Sequence, residues 1–292
     1  MPQVDKDGFI LVRHKNSSSA AASLAAKGIA PPVDLKPESI DLAAIIQKVE
    51  RLQERLASSQ YLASFLSAVD EGLSRQRRPS GGDAPRPHIV CYGLGHAASS
   101  PAPQRQLALL LQLREHLSAP SVEVFDPVFW PEEKQLLREL RLHVLETDEQ
   151  CARRLSAPAV LYMPHCENAH YDNLLRANWH PDLLPRLLLV GNSLASIALR
   201  LPSSQLRLVS FVERAAPHVT ERSERIAEAD LLPAFNDTAV QWFEAGVLRA
   251  LPAYFWDEAP QEAFVPPQEG DSSDDGRGKP RRRRRKKSRN HS

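Results

Sequence analysis

The amino-acid sequence predicts an α/β fold: a doubly wound, mostly parallel sheet of Rossmann-like type, with an N-terminal helical extension and a disordered C-terminal tail. Three observations predict it. Short β-rich runs alternate with helical stretches between residues 86 and 256. Several runs, Leu187-Leu188-Leu189-Val190 above all, are apolar at consecutive positions, as strands covered by helices on both faces must be. The runs also end in glycine and small polar residues, at the edge where such a sheet holds its ligands.

In chain order, residues 1–36 read as a flexible segment, small and polar over 17–32, with Phe9-Ile10-Leu11-Val12 as a short apolar stretch that docks as an edge strand. Residues 37–78 form an amphipathic helical segment. Leu42, Ile45, Val49, Leu52 and Leu56 recur at three- and four-residue steps, and Leu62, Phe65, Val69 and Leu73 resume after Ser58-Ser59. Its apolar stripe is expected to pack on the main domain. The turn-forming run Arg77 to Pro87 follows as a joint.

The main domain, 86–256, is read as strand 88–94, helix 104–117, strand 122–125, helix 132–140, strand 142–145, short helix 149–155, strand 159–163, helix 171–179 and strand 187–190. A helical stretch 206–213 ending near Pro217 and a last strand 238–243 complete it. Residues 257–292 turn acidic at Asp271, Asp274 and Asp275 and then polybasic, too poor in apolar groups to offset their ordering entropy.

Composition narrows the function classes. No run of about 18 uncharged apolar residues exists, and Asp5, Lys6, Asp7, Arg13 and Lys15 stand where a signal peptide needs apolar residues, so no membrane association is expected. Cys91, Cys151 and Cys166 lack CxxC spacing, which points to a reducing compartment and a cytoplasmic, also nuclear, location. The net charge of +1 hides a segregation: ten of the 37 basic residues lie in 277–292, leaving 27 against 36 acidic ones elsewhere, a net of −9. A body of that sign does not suit nucleic acid, although the tail suits nonspecific contact. Lys279, Arg281, Arg282, Arg283, Arg284, Arg285, Lys286 and Lys287 form a block of the kind that import receptors bind.

The candidate ligand-binding residues stand at the strand ends: Gly93, Gly95 and His96; Asp126; His165 and Cys166; Gly191, Asn192 and Ser193. Asn173, Asn236 and Asp237 join them, with capping and turn formation as their default role. Gly93-x-Gly95 with Asp126 about 31 residues on suits a nucleotide or S-adenosylmethionine ribose, but Ala98 stands where the dinucleotide fingerprint needs its third glycine. Pro101 and Pro103 further interrupt the expected helix start. His96, His165, Cys166, His170 and Cys91 are metal-ligand types, yet their spacing matches no standard structural zinc site, so no metal is expected. Adjacent His165 and Cys166 on an extended strand point to opposite faces, which disfavours a nucleophile pair. No catalytic residue is assigned, and the cofactor stays unknown.

The runs Val90-Cys91-Tyr92-Gly93-Leu94-Gly95-His96, Val124-Phe125-Asp126-Pro127, Tyr162-Met163-Pro164-His165-Cys166, Leu189-Val190-Gly191-Asn192-Ser193 and Phe235-Asn236-Asp237-Thr238 resemble, in order and spacing, the sensitivity-to-red-light-reduced (SRR-like) family, its animal members included. The resemblance implies a non-enzymatic regulator acting through protein partners. In plants it points to clock regulation and light signalling, and in animals to regulation of haem biosynthesis and clock-gene expression. The alternative, an enzyme binding a nucleotide or S-adenosylmethionine in the strand-end crevice, rests on Gly93, Gly95 and Asp126.

Overall fold

The computed structural model describes residues 36–37, 39–76 and 86–257. The Phe9 to Val12 stretch and the basic block Lys279 to Lys287 lie outside them. Two amphipathic helices come first, α1 (Leu42–Ala57) and α2 (Gln60–Gln76). Asp41 caps α1 by accepting from Ala44 N at 3.0 Å. Between the helices, Ser59 Oγ donates to Leu56 O at 2.6 Å and accepts from Leu62 N at 3.1 Å, so the Ser58-Ser59 break read from the sequence is a real helix junction.

The sheet has seven strands in the order β3-β2-β1-β4-β5-β7-β6. They are β1 (His88–Tyr92), β2 (Val122–Phe125), β3 (His143–Val144), β4 (Ala159–Met163), β5 (Leu187–Asn192), β6 (Val219–Ser223) and β7 (Thr238–Phe243). The five strands β1 to β5 run parallel, with Val90 opposite Leu161 and Leu161 opposite Leu189. β7 is antiparallel to both β5 and β6.

Alternate residues of each strand feed opposite layers. Ile89, Cys91, Val160, Tyr162, Leu188, Val190, Val240 and Trp242 pack with α1, α2 and the helices α3 (Pro101–Leu117) and α4 (Pro131–Glu139). Val90, Tyr92, Leu161, Met163, Leu187 and Leu189 pack on the other face, with α5 (Asn168–Ala177), α6 (Leu194–Arg200) and α8 (Ser210–Ala215), the last reached through the short α7 (Ser203–Leu206). Two further short helices, α9 (Leu232–Phe235) and α10 (Ala245–Arg249), flank β7. The extension is thus part of the core: Val49, Leu56, Phe65 and Val69 are fully or almost fully buried. A Cβ at Gly72 of α2 would stand 2.4 Å from Leu188 Cδ1 and 3.0 Å from the Trp242 ring, so α2 lies hard against the sheet. Among the described residues no helix is long and apolar enough to cross a membrane.

Two expectations need correction, and one strand was not foreseen. Residues 149–155 are not helical: Asp148 Oδ1 accepts from Gln150 N at 2.8 Å, and both Gln150 (φ 49°) and Cys151 (φ 57°) are left-handed. A side-chain turn of this kind offers the backbone an alternative to helix bonding. Pro101 and Pro103 do not obstruct α3 but begin it, because first-turn residues have no intrahelical N–H to lose. The strand β6, with the polar sequence VTERS, gave no apolar signal because it is an edge strand half open to solvent.

Candidate functional site

The winding of the sheet reverses between β1 and β4, which makes the carboxyl ends of these two strands the topological switch point. Gly93 and Gly95 leave β1 with φ of 69° and 73°, a left-handed backbone that glycine adopts without a Cβ clash. The loop after β4 lies directly against them. His165 N donates to Gly93 O at 3.0 Å, and the Cys166 thiol donates to Tyr92 O at 3.4 Å. A Cβ on Gly93 would come within 2.8 Å of Cys166 Sγ, so glycine is needed there for close approach of protein to protein.

Asp126, 8% exposed, closes the loop from the β2 side. Its Oδ2 accepts from Gly95 N at 2.8 Å and its Oδ1 from Val128 N at 3.1 Å. His96 turns inward: its Nδ1 is 2.8 Å from Glu133 Oε2, and its ring stacks on Trp130 with centroids 3.9 Å apart. The fully buried Glu133 also accepts from Ala98 N at 3.0 Å and from Trp130 N at 3.1 Å, tying the glycine loop to the start of α4. His165 reaches solvent at the rim. Partial burial over the loop lowers its pKa from the ordinary histidine value, against the pull of Asp126.

A second group gathers where β5 ends. A Cβ on Gly191 would stand 2.7 Å from the Tyr171 hydroxyl and 2.8 Å from Met163 O, and that hydroxyl donates to Met163 O at 2.6 Å while accepting from Asn192 N at 2.9 Å. Ser193 caps α6 through Ser196 N and donates to Glu221 of β6 at 2.8 Å. The fully buried Gln241 links Asn192 O, at 3.0 Å, with Leu194 N, at 2.8 Å. Because β7 runs backwards, its entry residues Asn236 and Asp237 arrive at this same edge, exposed, with Asp237 3.8 Å from Arg200. Asn173 stands apart on α5, donating to Gln150 O at 3.0 Å.

The structure therefore joins Gly93, Gly95, His96, Asp126, His165 and Cys166 in one bonded cluster. It seats Gly191, Asn192 and Ser193 beside them and leaves Asn173 to a loop contact. Glu133, Gln241, Glu221 and Tyr171 were not singled out in the sequence; each makes its contact across 21 to 49 positions, a pairing that no periodicity reveals. Cys151 is a further addition. Its thiol hydrogen-bonds with that of Cys166, which, with burial, pushes the Cys166 thiol well above its ordinary pKa. A groove of about 580 Å³ runs along β3, lined by Arg138, Leu142, Val144 and Glu146 among others, outside the switch point.

The order of the strands, the reversal at β1 and β4, and the residues clustered there define a Rossmann-like α/β protein. Comparison with known sequences refines this: the profile described as the SRR1 domain matches residues 49–242, and the chain belongs to that family. It is 31% identical over 230 residues to Protein SENSITIVITY TO RED LIGHT REDUCED 1 of Arabidopsis thaliana, covering 77% of this chain and 83% of that one. It is 32% identical over 219 residues to the SRR1-like protein of Mus musculus, covering 66% and 85%. Among solved structures, an SAH-bound methyltransferase of Podospora anserina aligns over 80% of this chain and 99% of its own at 11% identity and a TM-score of 0.33, a likeness that says nothing about activity.

Proposed function

We propose that this SRR1-domain protein is a non-enzymatic regulator of haem biosynthesis and circadian clock gene expression, working through protein partners in the cytoplasm and, by way of its basic tail, the nucleus. The family's regulatory character supports the setting. One observation supports the absence of turnover: the groups a nucleotide would need are bonded to the protein itself. Asp126 spends both oxygens on Gly95 N and Val128 N, and Gly93 O takes His165 N. A phosphate has to displace Asp126 from Gly95 N before that N–H can serve it.

The alternative, a nucleotide- or S-adenosylmethionine-binding enzyme, is favoured by one feature, the placement of Gly93-x-Gly95 and Asp126 on neighbouring strands at the switch point. Thermal unfolding of the full chain with ATP, NAD or S-adenosylmethionine separates the two readings, because any ligand of the folded state raises the midpoint by mass action. The regulatory reading expects no shift. A rise that Asp126→Asn abolishes would establish the ligand site that the alternative requires and overturn the argument from the occupied groups. In cells lacking the protein, the wild-type chain is expected to restore haem-pathway and clock transcripts; unchanged transcripts would overturn the regulatory assignment.

A further inference from the structure

Three soft donors meet beneath the switch point on the α5 side of the sheet. Cys151 Sγ, Cys166 Sγ and one ring nitrogen of His170 lie within 4.8 Å of one another, with both thiols buried and the imidazole half-buried. They come from three segments: the left-handed loop after β3, the loop after β4 and the first turn of α5. Cys91, the remaining cysteine, faces the opposite layer with α1 to α3. We propose that Cys151, Cys166 and His170 bind a zinc ion.

The geometry is close to what the ion requires. Zn–S bonds of about 2.3 Å and Zn–N bonds of about 2.0 Å in a tetrahedron put sulfurs about 3.8 Å apart, so contraction by about 1 Å or less completes the set. Two thiolates with an imidazole select zinc over the hard cations magnesium and calcium, which take oxygen ligands. Binding replaces the two thiol protons, which leave to solvent, and the dianion formed by the sulfurs neutralises the ion, so the buried site carries no net charge. Three protein ligands leave a fourth position for water or another donor, the open pattern of a site that does more than hold the fold.

The loop that supplies Cys151 is held in place beforehand. Gln150 is fixed by Asp148 and by Asn173. Glu149 bonds the Tyr92 hydroxyl and Arg153, and Arg153 reaches Glu123 of β2. Non-glycine residues in the left-handed region persist only where their surroundings impose it, and here the strained residue is the one that presents a ligand. Besides the bond between the two thiols, which ends as their protons leave, two weak bonds give way on binding. Cys166 releases Tyr92 O, and His170 Nδ1 releases Glu167 N, 3.2 Å away, whichever ring nitrogen takes the ion. The spacing C-x14-C-x3-H departs from the usual zinc patterns, so the sequence hides the set.

Cobalt(II) titration of the reduced, chelator-treated full chain tests the site. The expected result is one equivalent of cobalt with thiolate-to-metal charge-transfer bands and tetrahedral d–d bands, bleached by one equivalent of zinc. Cys151→Ser should weaken the charge-transfer bands, and Cys151→Ser and His170→Ala should each lower zinc affinity by at least about tenfold, the loss seen when even an outer partner of a ligand is removed. His165→Ala, one residue from Cys166 but at the rim, should leave the spectrum unchanged. Far-UV circular dichroism verifies that each variant is folded; His170→Ala removes a half-buried ring and serves where Cys151→Ser is not. Absence of charge-transfer bands, bands unchanged in both ligand variants, or a Cys151–Cys166 disulfide in a protein that binds no cobalt when reduced would each overturn the proposal.

Discussion

Glu133 Oε2 lies 2.8 Å from His96 Nδ1, and through this bond the first turn of α4 holds the end of the glycine loop. Glu133 is 1% exposed and also receives two backbone N–H groups. Glu133→Ala leaves the buried His96 ring and two part-buried backbone N–H groups without their acceptor, and it is expected to destabilise the protein by about 3–5 kcal/mol in urea titration. Glu133→Gln keeps an acceptor oxygen and should lose clearly less. A loss below about 1 kcal/mol in Glu133→Ala would show that these hydrogen bonds do not hold the loop.

Gly191→Ala should cost about 1–3 kcal/mol by the same measurement, the usual penalty for a methyl group forced into a filled core. The atoms it meets, the Tyr171 hydroxyl and Met163 O, are bonded to each other and cannot both retreat. Gly246, with nothing within 4 Å of an added Cβ, is the control, and Gly246→Ala should leave the midpoint nearly unchanged.

Removing residues 37–78 should abolish cooperative folding, read as loss of far-UV signal and of a sigmoidal urea transition. Ile45, Val49, Leu56, Tyr61, Leu62, Phe65 and Val69 are buried against α3 and the sheet. At about 1.5–3 kcal/mol for each side chain, their burial matches or exceeds the roughly 5–15 kcal/mol that keeps a typical domain folded.

Asp172 supplies a pH signature. Burial raises its pKa above the ordinary carboxylate value, against the bonds it accepts from Phe211 N, Val212 N and Arg176. The folded state therefore binds a proton more tightly than the unfolded chain. This contribution to stability is full below the unfolded-state pKa and is lost as pH rises through the folded one. Asp172→Asn should gain on the wild type as pH rises from about 3 to 7, in urea titrations at both ends; a difference independent of pH would refute this.

Replacing Lys286, Lys287 and Arg281 to Arg285 with alanine should leave the unfolding midpoint unchanged and lower the nuclear fraction of the tagged protein, because the block belongs to a segment with little apolar content. Equal nuclear signal in both proteins would show that the block is not an import signal.

The strands β1, β4 and β5 were legible because both faces are covered and their central positions are apolar, and β2 because valine alternates with half-buried positions. The helices α1 and α2 were legible through their periodicity, and Ser58-Ser59 through its turn chemistry. β6 was not, since an exposed edge asks little of its side chains. Residues 149–155 misled because Glu149, Ala152, Arg153 and Leu155 suit a helix locally, whereas the left-handed pair Gln150-Cys151 is imposed by Asp148 and by contacts reaching as far as Glu123. At the site, the strand-end rule located Gly93, Gly95, Asp126 and His165. It is blind to partners such as Glu133 and Gln241, which lie on a neighbouring helix or strand and reach across the fold.

The seat of Gly72 against Trp242 also bears on how the chain folds. The contact joins positions 170 residues apart, and among the described elements it places the second helix on the last strand. Contacts of such long range slow folding, since the intervening loop must close before any of them forms. During synthesis α2 emerges with an apolar face whose final cover, β5 and β7, is not yet built. That face must stay shielded until nearly the whole domain has left the ribosome, so this protein should depend on chaperones more than a domain of its size assembled from neighbouring segments.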